Sequence, residues 1–255
     1  MINSLFDSHL HLKFSGSAEK SIMNLLRTCE LNNVSGGFII HMDSDDSEIP
    51  LSKLLSSLKG KDNFLVFKNF KFKEKKRTVA KIVEEYYQSG IFGLKIHPRQ
   101  QGLNLKSKYV CQLIEIAQEF EMPINICSFD DGSWGRIDLT TSQFLWLADQ
   151  FPKTKFIWSH AGGHHVLDFL MMARRTRNVF LDTSFTQSYF RQSTVKQNLN
   201  YAIESLPDRY IFGTDFESSD YGSSLRDLYE FYKVENSNCE RLFKSNFLDF
   251  VSLKC

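Results

Sequence analysis

Short apolar runs recur along this chain roughly every thirty residues, and most of them end on a polar or ionisable side chain. The runs at 4–11, 37–41, 64–70, 92–97, 123–127, 155–160, 179–183 and 210–214 are rich in Phe, Ile, Val and Leu and too short for helices, which predicts strands. Apolar positions at helical spacing fill the intervals, predicting helices over 18–32, 51–58, 78–89, 106–120, 141–151, 166–175, 194–206 and 223–232. A last amphipathic segment covers 239–251. Strands that alternate with helices pair in parallel, because each helix carries the chain back to the start of the next strand. A single (β/α)8 TIM barrel over 1–255 uses every element and leaves no sheet edge. A doubly wound open sheet is the competing arrangement, but no GxGxxG follows the first strand. The least regular stretch, FDDGSWGRID at 129–138, reads as a long loop after the fifth strand.

Composition narrows the class of partner. The chain has 255 residues, 42% of them hydrophobic, enough for a sizeable core. Its 31 basic and 30 acidic residues leave a net charge of +1, so no broad field draws in nucleic acid or an acidic membrane. The densest basic patch, KFKEKKR at 71–77, is broken by Glu74 and reads as a solvated helix entry. Five cysteines (Cys29, Cys111, Cys127, Cys239, Cys255) form no CxxC, and no charged-then-apolar leader opens the chain. Both features point to a soluble protein of the reducing cytoplasm. No apolar run is long enough to cross a bilayer. The expected partner is a small-molecule substrate; a homo-oligomer is left open.

The chemistry gathers at strand ends. DSHLHL spaces His9 and His11 two apart, so on a strand both imidazoles face one way, a geometry suited to a divalent metal. His41 ends the second strand, followed by Asp43, Asp45 and Asp46. Lys95 and His97 alternate at the end of the fourth, ahead of Arg99. Asn125 and Cys127 share a face of the fifth; His160, Asp182 and Asp215 close the sixth, seventh and eighth. In a barrel all of these arrive at one rim, where TIM-barrel enzymes carry their active sites.

DSHLHL, GLKIHP, FIWSHAGG, NVFLDTS and IFGTDFE, in this order, resemble the amidohydrolase-related barrel family of metal-dependent hydrolases and non-oxidative decarboxylases. RLFKSNF at 241–247 is similar to a displaced version of the family's closing helix. The resemblance implies that His9 and His11 bind a divalent metal, with zinc expected and manganese as the alternative. It implies that Asp215 completes the site and moves the proton, and that His160 is either a ligand or a polariser of the substrate. It also implies a histidine ligand at the end of the fifth strand, where this chain has Cys127 in PINIC. Cys127 is then either a thiolate ligand or a small core hydrophobe. A metal-free site stays open as well, since certain lactone hydrolases of the wider family work without metal.

Lys95, His97 and Arg99 would hold an anionic part of the substrate. A carboxylated Lys95 bridging two metals would need a further strand-end ligand. His41 either touches substrate or caps its strand. One of His164 and His165 caps the helix after strand six, Asp182 is structural, and Trp134 is a lid aromatic or a loop anchor. The leading expectation is metal-assisted hydrolysis of an amide, lactone or ester in a small carboxylate-bearing substrate, with Asp215 as general base and His160 stabilising the developing oxyanion. A decarboxylase or hydratase on the same residues, and a degenerate barrel that binds a ligand without chemistry, are the alternatives.

Overall fold

The computed structural model describes residues 4–42, 44–72, 78–132, 139–216 and 239–253. Eight parallel strands pair in chain order: β1 Leu5–His11, β2 Val34–His41, β3 Phe64–Asn69, β4 Gly93–Ile96, β5 Ile124–Cys127, β6 Phe156–Ser159, β7 Val179–Asp182 and β8 Tyr210–Ile211. The ring closes where the chain beyond β8 meets β1. Ser8 N–H donates to the Phe212 carbonyl at 2.8 Å, Asp215 N–H to His9 at 2.9 Å and His11 N–H to Phe216 at 3.1 Å. This is the (β/α)8 TIM barrel that the alternation predicts.

Helices Ala18–Leu31, Leu51–Ser57, Val79–Gln88, Lys108–Glu119, Thr141–Gln150, Val166–Arg175 and Val195–Ser205 lie between the strands. Ser17, Thr78 and Ser107 cap three of them by accepting from backbone N–H groups one turn in. The expected helix at 223–232, Trp134 and Asp43 lie outside the described residues, as does 73–77 of the basic patch.

Strand alternation sorts the core into two parts. On β4 to β7, Leu94, Ile96, Ile124, Ile126, Phe156, Trp158, Val179 and Leu181 pack outward in the strand–helix cluster. The opposite face of each strand points into the barrel. Its lower half is apolar, built on Phe6, Phe38, Phe67, Ile157, Phe180 and Ile211. The C-terminal helix Asn246–Ser252 plugs that end: Phe247 stacks on Phe6 at 4.8 Å and lies tilted against Phe38 at 4.4 Å. Asn246 ties the plug to β8 by donating to the carbonyls of Pro207 and Tyr210 at 2.6 and 2.7 Å. The upper half of the same interior is polar: Lys95 on β4, Asn125 and Cys127 on β5, Ser159 on β6 and Asp182 on β7 are all buried there. Among the described residues the apolar plug fills one end of the barrel, and the polar layer faces the other.

Candidate active site

The first aspartate of DSHLHL builds the frame. Asp7 Oδ1 accepts from the His9 backbone at 2.9 Å and from Thr214 N–H at 3.1 Å, while Oδ2 accepts from the Thr214 hydroxyl at 2.6 Å. It therefore locks the end of β1 to the segment that carries Asp215. Gly213 is needed in that seam, because a Cβ there would come 2.8 Å from Ser8 Oγ. Asp215 itself sits at φ 63°, and His160 at φ 68°, both in the left-handed region. Such backbone strain in non-glycine residues gathers at functional sites.

Asp215 Oδ1 lies 3.3 Å from His9 Nε2 and 3.0 Å from His11 Nε2, so one carboxylate oxygen sits between the two imidazoles. On its far side the His9 ring is anchored through Nδ1, 2.9 Å from Asp182 Oδ2. A carboxylate only accepts, so the Nδ1 proton is fixed and Nε2 carries the lone pair. Burial, then the charge of Lys95, lowers the His9 pKa to about 4 against the pull of Asp182 and Asp215. His9 is thus neutral. Asp182 keeps its charge, held well below the usual carboxylate range against the cost of burial by His9, His160 and Lys95. It also accepts at Oδ1 from the backbone N–H groups of His160 and Ser184, both at 3.0 Å.

His160 packs 5.0 Å, ring to ring, from His9. Its Nδ1 lies 2.9 Å from Ser184 Oγ and 3.1 Å from the Ser184 carbonyl, which can only accept. Nδ1 therefore carries a proton, and Nε2 is the reactive nitrogen. Gly162, just beyond, holds φ 80° where a Cβ would meet Phe169 at 2.1 Å, which keeps the turn after β6 tight. Burial opposes charge on His160, but Cys127, Asp215 and Asp182 outweigh it and push its pKa up to about 9. Burial likewise raises the Cys127 thiol, and His97 and His160 overcome it, holding the thiol well below its ordinary value.

These residues fit a divalent ion. His9, His160 and Asp215 each place one ligand atom within 4.8 Å of the other two, and His160 can serve as a ligand only once its Nε2 is deprotonated. The His9 lone pair facing the Asp215 carboxylate at 3.3 Å sets two acceptors against each other, an arrangement that needs a cation or proton between them. Metal–ligand bonds of about 2.0–2.2 Å put neighbouring ligand atoms about 2.9–3.4 Å apart, the spacing seen at Asp215. His11 joins through Asp215, whereas Cys127 is not part of the set. Cys127 is buried against His97 and His160, and it is not among the residues whose ligand atoms all lie within 4.8 Å of one another.

A cavity of about 770 Å3 opens above the set, lined by His9, His11, Lys95, His97, Arg99, His160 and Asp215 among others. Lys95 forms its floor, fully buried, donating to Asn125 Oδ1 and Ser159 Oγ at 2.8 Å each. Arg99 is ion-paired with Asp131. Phe129, Phe185 and Tyr189 make an apolar wall, with Phe129 4.9 Å from Phe185 and 5.3 Å from Tyr189. His41 does not line the cavity. Its ring is buried, and Nε2 lies 2.8 Å from the Ile49 carbonyl, so it fastens the loop after β2. A groove of similar size, about 750 Å3, runs beside helix Ala18–Leu31 and collects none of the strand-end residues.

Asp182 bonds neighbouring backbone, as a structural role predicts, and also anchors His9, whereas nothing in the sequence pattern marks Ser159, Ser184 or Phe185. Strand alternation from Phe180 would have turned Asp182 inward. Ser184 and Phe185 lie beyond the strand, where spacing carries no directional signal.

The sequence profile described as amidohydrolase matches residues 62–246. No protein of curated description matches the sequence. Among solved structures, the chain is similar to an uncharacterised TIM-barrel protein from Bordetella bronchiseptica (TM-score 0.78, 14% identity, 98% of this chain and 100% of that one). It is also similar to a probable 2-pyrone-4,6-dicarboxylic acid hydrolase from Acinetobacter baumannii with citric acid bound (TM-score 0.69, 10% identity, 98% and 100%). A third is 5-carboxyvanillate decarboxylase from Novosphingobium aromaticivorans, complexed with manganese and a nitrobenzoic acid (TM-score 0.60, 11% identity, 89% and 79%).

Proposed function

The chain belongs to the amidohydrolase family, and we propose that it is a metal-dependent hydrolase acting on an amide, lactone or ester bond of a small carboxylate-bearing substrate. The observation that carries this reading is the fixed His9 tautomer, whose lone pair and the Asp215 carboxylate converge on one point. His9 and Asp215 would hold the ion, with His11 and His160 beside them. Zinc suits a set of imidazoles and one carboxylate, and manganese is the alternative. When bound, the ion would polarise the scissile carbonyl and lower the pKa of water toward about 7.

The remaining roles belong to the chain. Asp215 takes the proton of the attacking water and returns it to the leaving group. His160 donates from Nε2 to the oxygen on which charge develops. The ammonium of Lys95 and the ring of His97 orient a substrate carboxylate from the cavity floor, and Arg99 contributes where Asp131 leaves its fork open. The aromatic wall excludes water from the opposite side.

Loss of carbon dioxide on the same residues is the second reading, supported by the manganese-bound decarboxylase of similar fold. Cys29, Cys111, Cys127 and Cys239 are all free thiols, which supports a cytoplasmic setting. Among the described residues no helix is long and apolar enough to cross a membrane.

The test pairs metal content with a panel of lactones, amides, esters and aromatic acids. The native protein should hold stoichiometric zinc or manganese and turn over a hydrolysable member of the panel. The His9→Ala/Asp215→Ala variant should lose the cavity equivalent of metal and all turnover. Turnover of the acids alone would replace hydrolysis by decarboxylation, and activity that survives both substitutions would refute the assignment.

A further inference from the structure

We propose that Asp130, His164 and His165 form a second divalent-cation site at the rim of the cavity, selective for ions of the zinc class. Each of the three places one ligand atom within 4.8 Å of the other two. Asp130 comes from the loop after β5, whereas the histidines come from the turn that opens helix Val166–Arg175, so the fold and not the sequence joins them.

Asp130 is pre-positioned. Its Oδ1 accepts from Gly132 N–H at 2.7 Å, and its Oδ2 faces His165 Nε2 at 3.5 Å. On the other side of that ring, Nδ1 lies 3.4 Å from Asp168 Oδ2. With the proton of His165 on Nδ1, toward Asp168, the Nε2 lone pair faces Asp130. The His164 ring lies 3.9 Å from that of His165, centroid to centroid. Two protonated rings at that distance would repel, whereas one ion can take a lone pair from each.

The N-terminus of helix Val166–Arg175 lies beside the cluster, and its positive end disfavours a cation. Asp130 and the first-turn residue Asp168 supply two negative charges that offset it. Two imidazoles and a carboxylate are the ligands of zinc-class ions, whereas magnesium and calcium prefer oxygen alone. The cluster is partly exposed, which leaves room for water to complete the coordination shell and lets the ion exchange. An ion here would also steady the neighbouring Phe129, whose ring lies 5.9 Å from His160 in the cavity wall.

Calorimetric titration of chelator-treated protein with Zn2+ tests the site. The intact chain should bind one equivalent more than the His164→Ala/His165→Ala variant, and Asp130→Asn should weaken that equivalent at least tenfold. Tenfold excess Mg2+ should leave it in place. In the His9→Ala/Asp215→Ala variant the rim equivalent should persist, and with Cu2+ as probe its electron paramagnetic spectrum should show two nitrogen ligands. A chain in which only the cavity set fails to bind would therefore separate this site from the function proposed above. Equal stoichiometry with and without the two rim histidines would overturn the second site, as would displacement by Mg2+.

Discussion

Asp182 Oδ2 stands 2.9 Å from His9 Nδ1, with both side chains buried and neither sharing an element with the other. The contact decides which nitrogen of His9 is available. It turns an ordinary strand-end histidine into a directed lone pair and keeps the ring from rotating. Asp182 also braces the backbone of His160 and Ser184, so a single carboxylate orients both sides of the cluster.

Replacing Asp182 by Asn should therefore weaken metal binding by about 10–100-fold, since the amide no longer enforces the tautomer or raises the basicity of the ring. Competition against a chromophoric chelator measures it. An unchanged dissociation constant in a variant that still unfolds cooperatively would show that His9 needs no such partner.

The low pKa of His9 carries a consequence for acid stability. In the unfolded chain this ring takes up a proton near 6.5, whereas in the fold it does so only near 4. Between those values the unfolded state binds more protons, so stability falls as pH drops through the window and levels off below it. The loss should reach about 3 kcal/mol from His9 alone. Asp182 and Asp215, both held below the usual carboxylate range, extend the decline in the same direction at lower pH. Denaturant midpoints of chelator-treated protein between pH 7 and 4 measure the slope, and His9→Gln should flatten its upper part. Equal slopes in the two proteins would rule out His9 as the source.

Much of this is legible in the sequence. Parallel strands broken by helices admit few closed arrangements, and the polar endings of β1, β4, β6 and β7 fall at one rim because side-chain direction alternates along a strand. The C-terminal plug was less legible: an amphipathic segment at 239–251 does not reveal that Phe247 and Phe250 enter the barrel instead of packing on its outside. His41 ended its strand as the others did, but the loop returning to Ile49 took its Nε2. Cys127 faces inward as its register demands, yet His97 and His160 stand against it. Contacts made between loops, such as Ser184 with His160, have no counterpart in sequence spacing.

Cys127 offers a way to separate ligand from neighbour. Buried beside His160, with its thiol held well below its ordinary value, it helps hold a proton on that ring above the ordinary histidine range. Cys127→Ala should leave metal content unchanged but let His160 deprotonate at lower pH. The basic limb of the kcat/KM profile then moves to lower pH, because the proton donor is lost sooner. A variant that loses its metal instead would mark Cys127 as a ligand after all.

Lys95 is the strongest test of substrate charge. Its ammonium is buried, and burial pulls its pKa down against Cys127, Asp182 and Asp215. It donates to Asn125 and Ser159, neither of which carries a charge, and it lines the cavity. A substrate carboxylate there would receive a charge-assisted hydrogen bond in a water-poor setting, worth about 1.5–3 kcal/mol. Lys95→Met keeps most of the volume and removes the charge, so kcat/KM for a carboxylate-bearing substrate should fall about 10–100-fold, mostly through KM, while a neutral analogue is scarcely affected. Stability should hold or rise, because methionine avoids the cost of burying an ammonium. Parallel losses for charged and neutral substrates would mean that Lys95 only shapes the cavity floor, and the preference for carboxylates would have to come from His97 and Arg99.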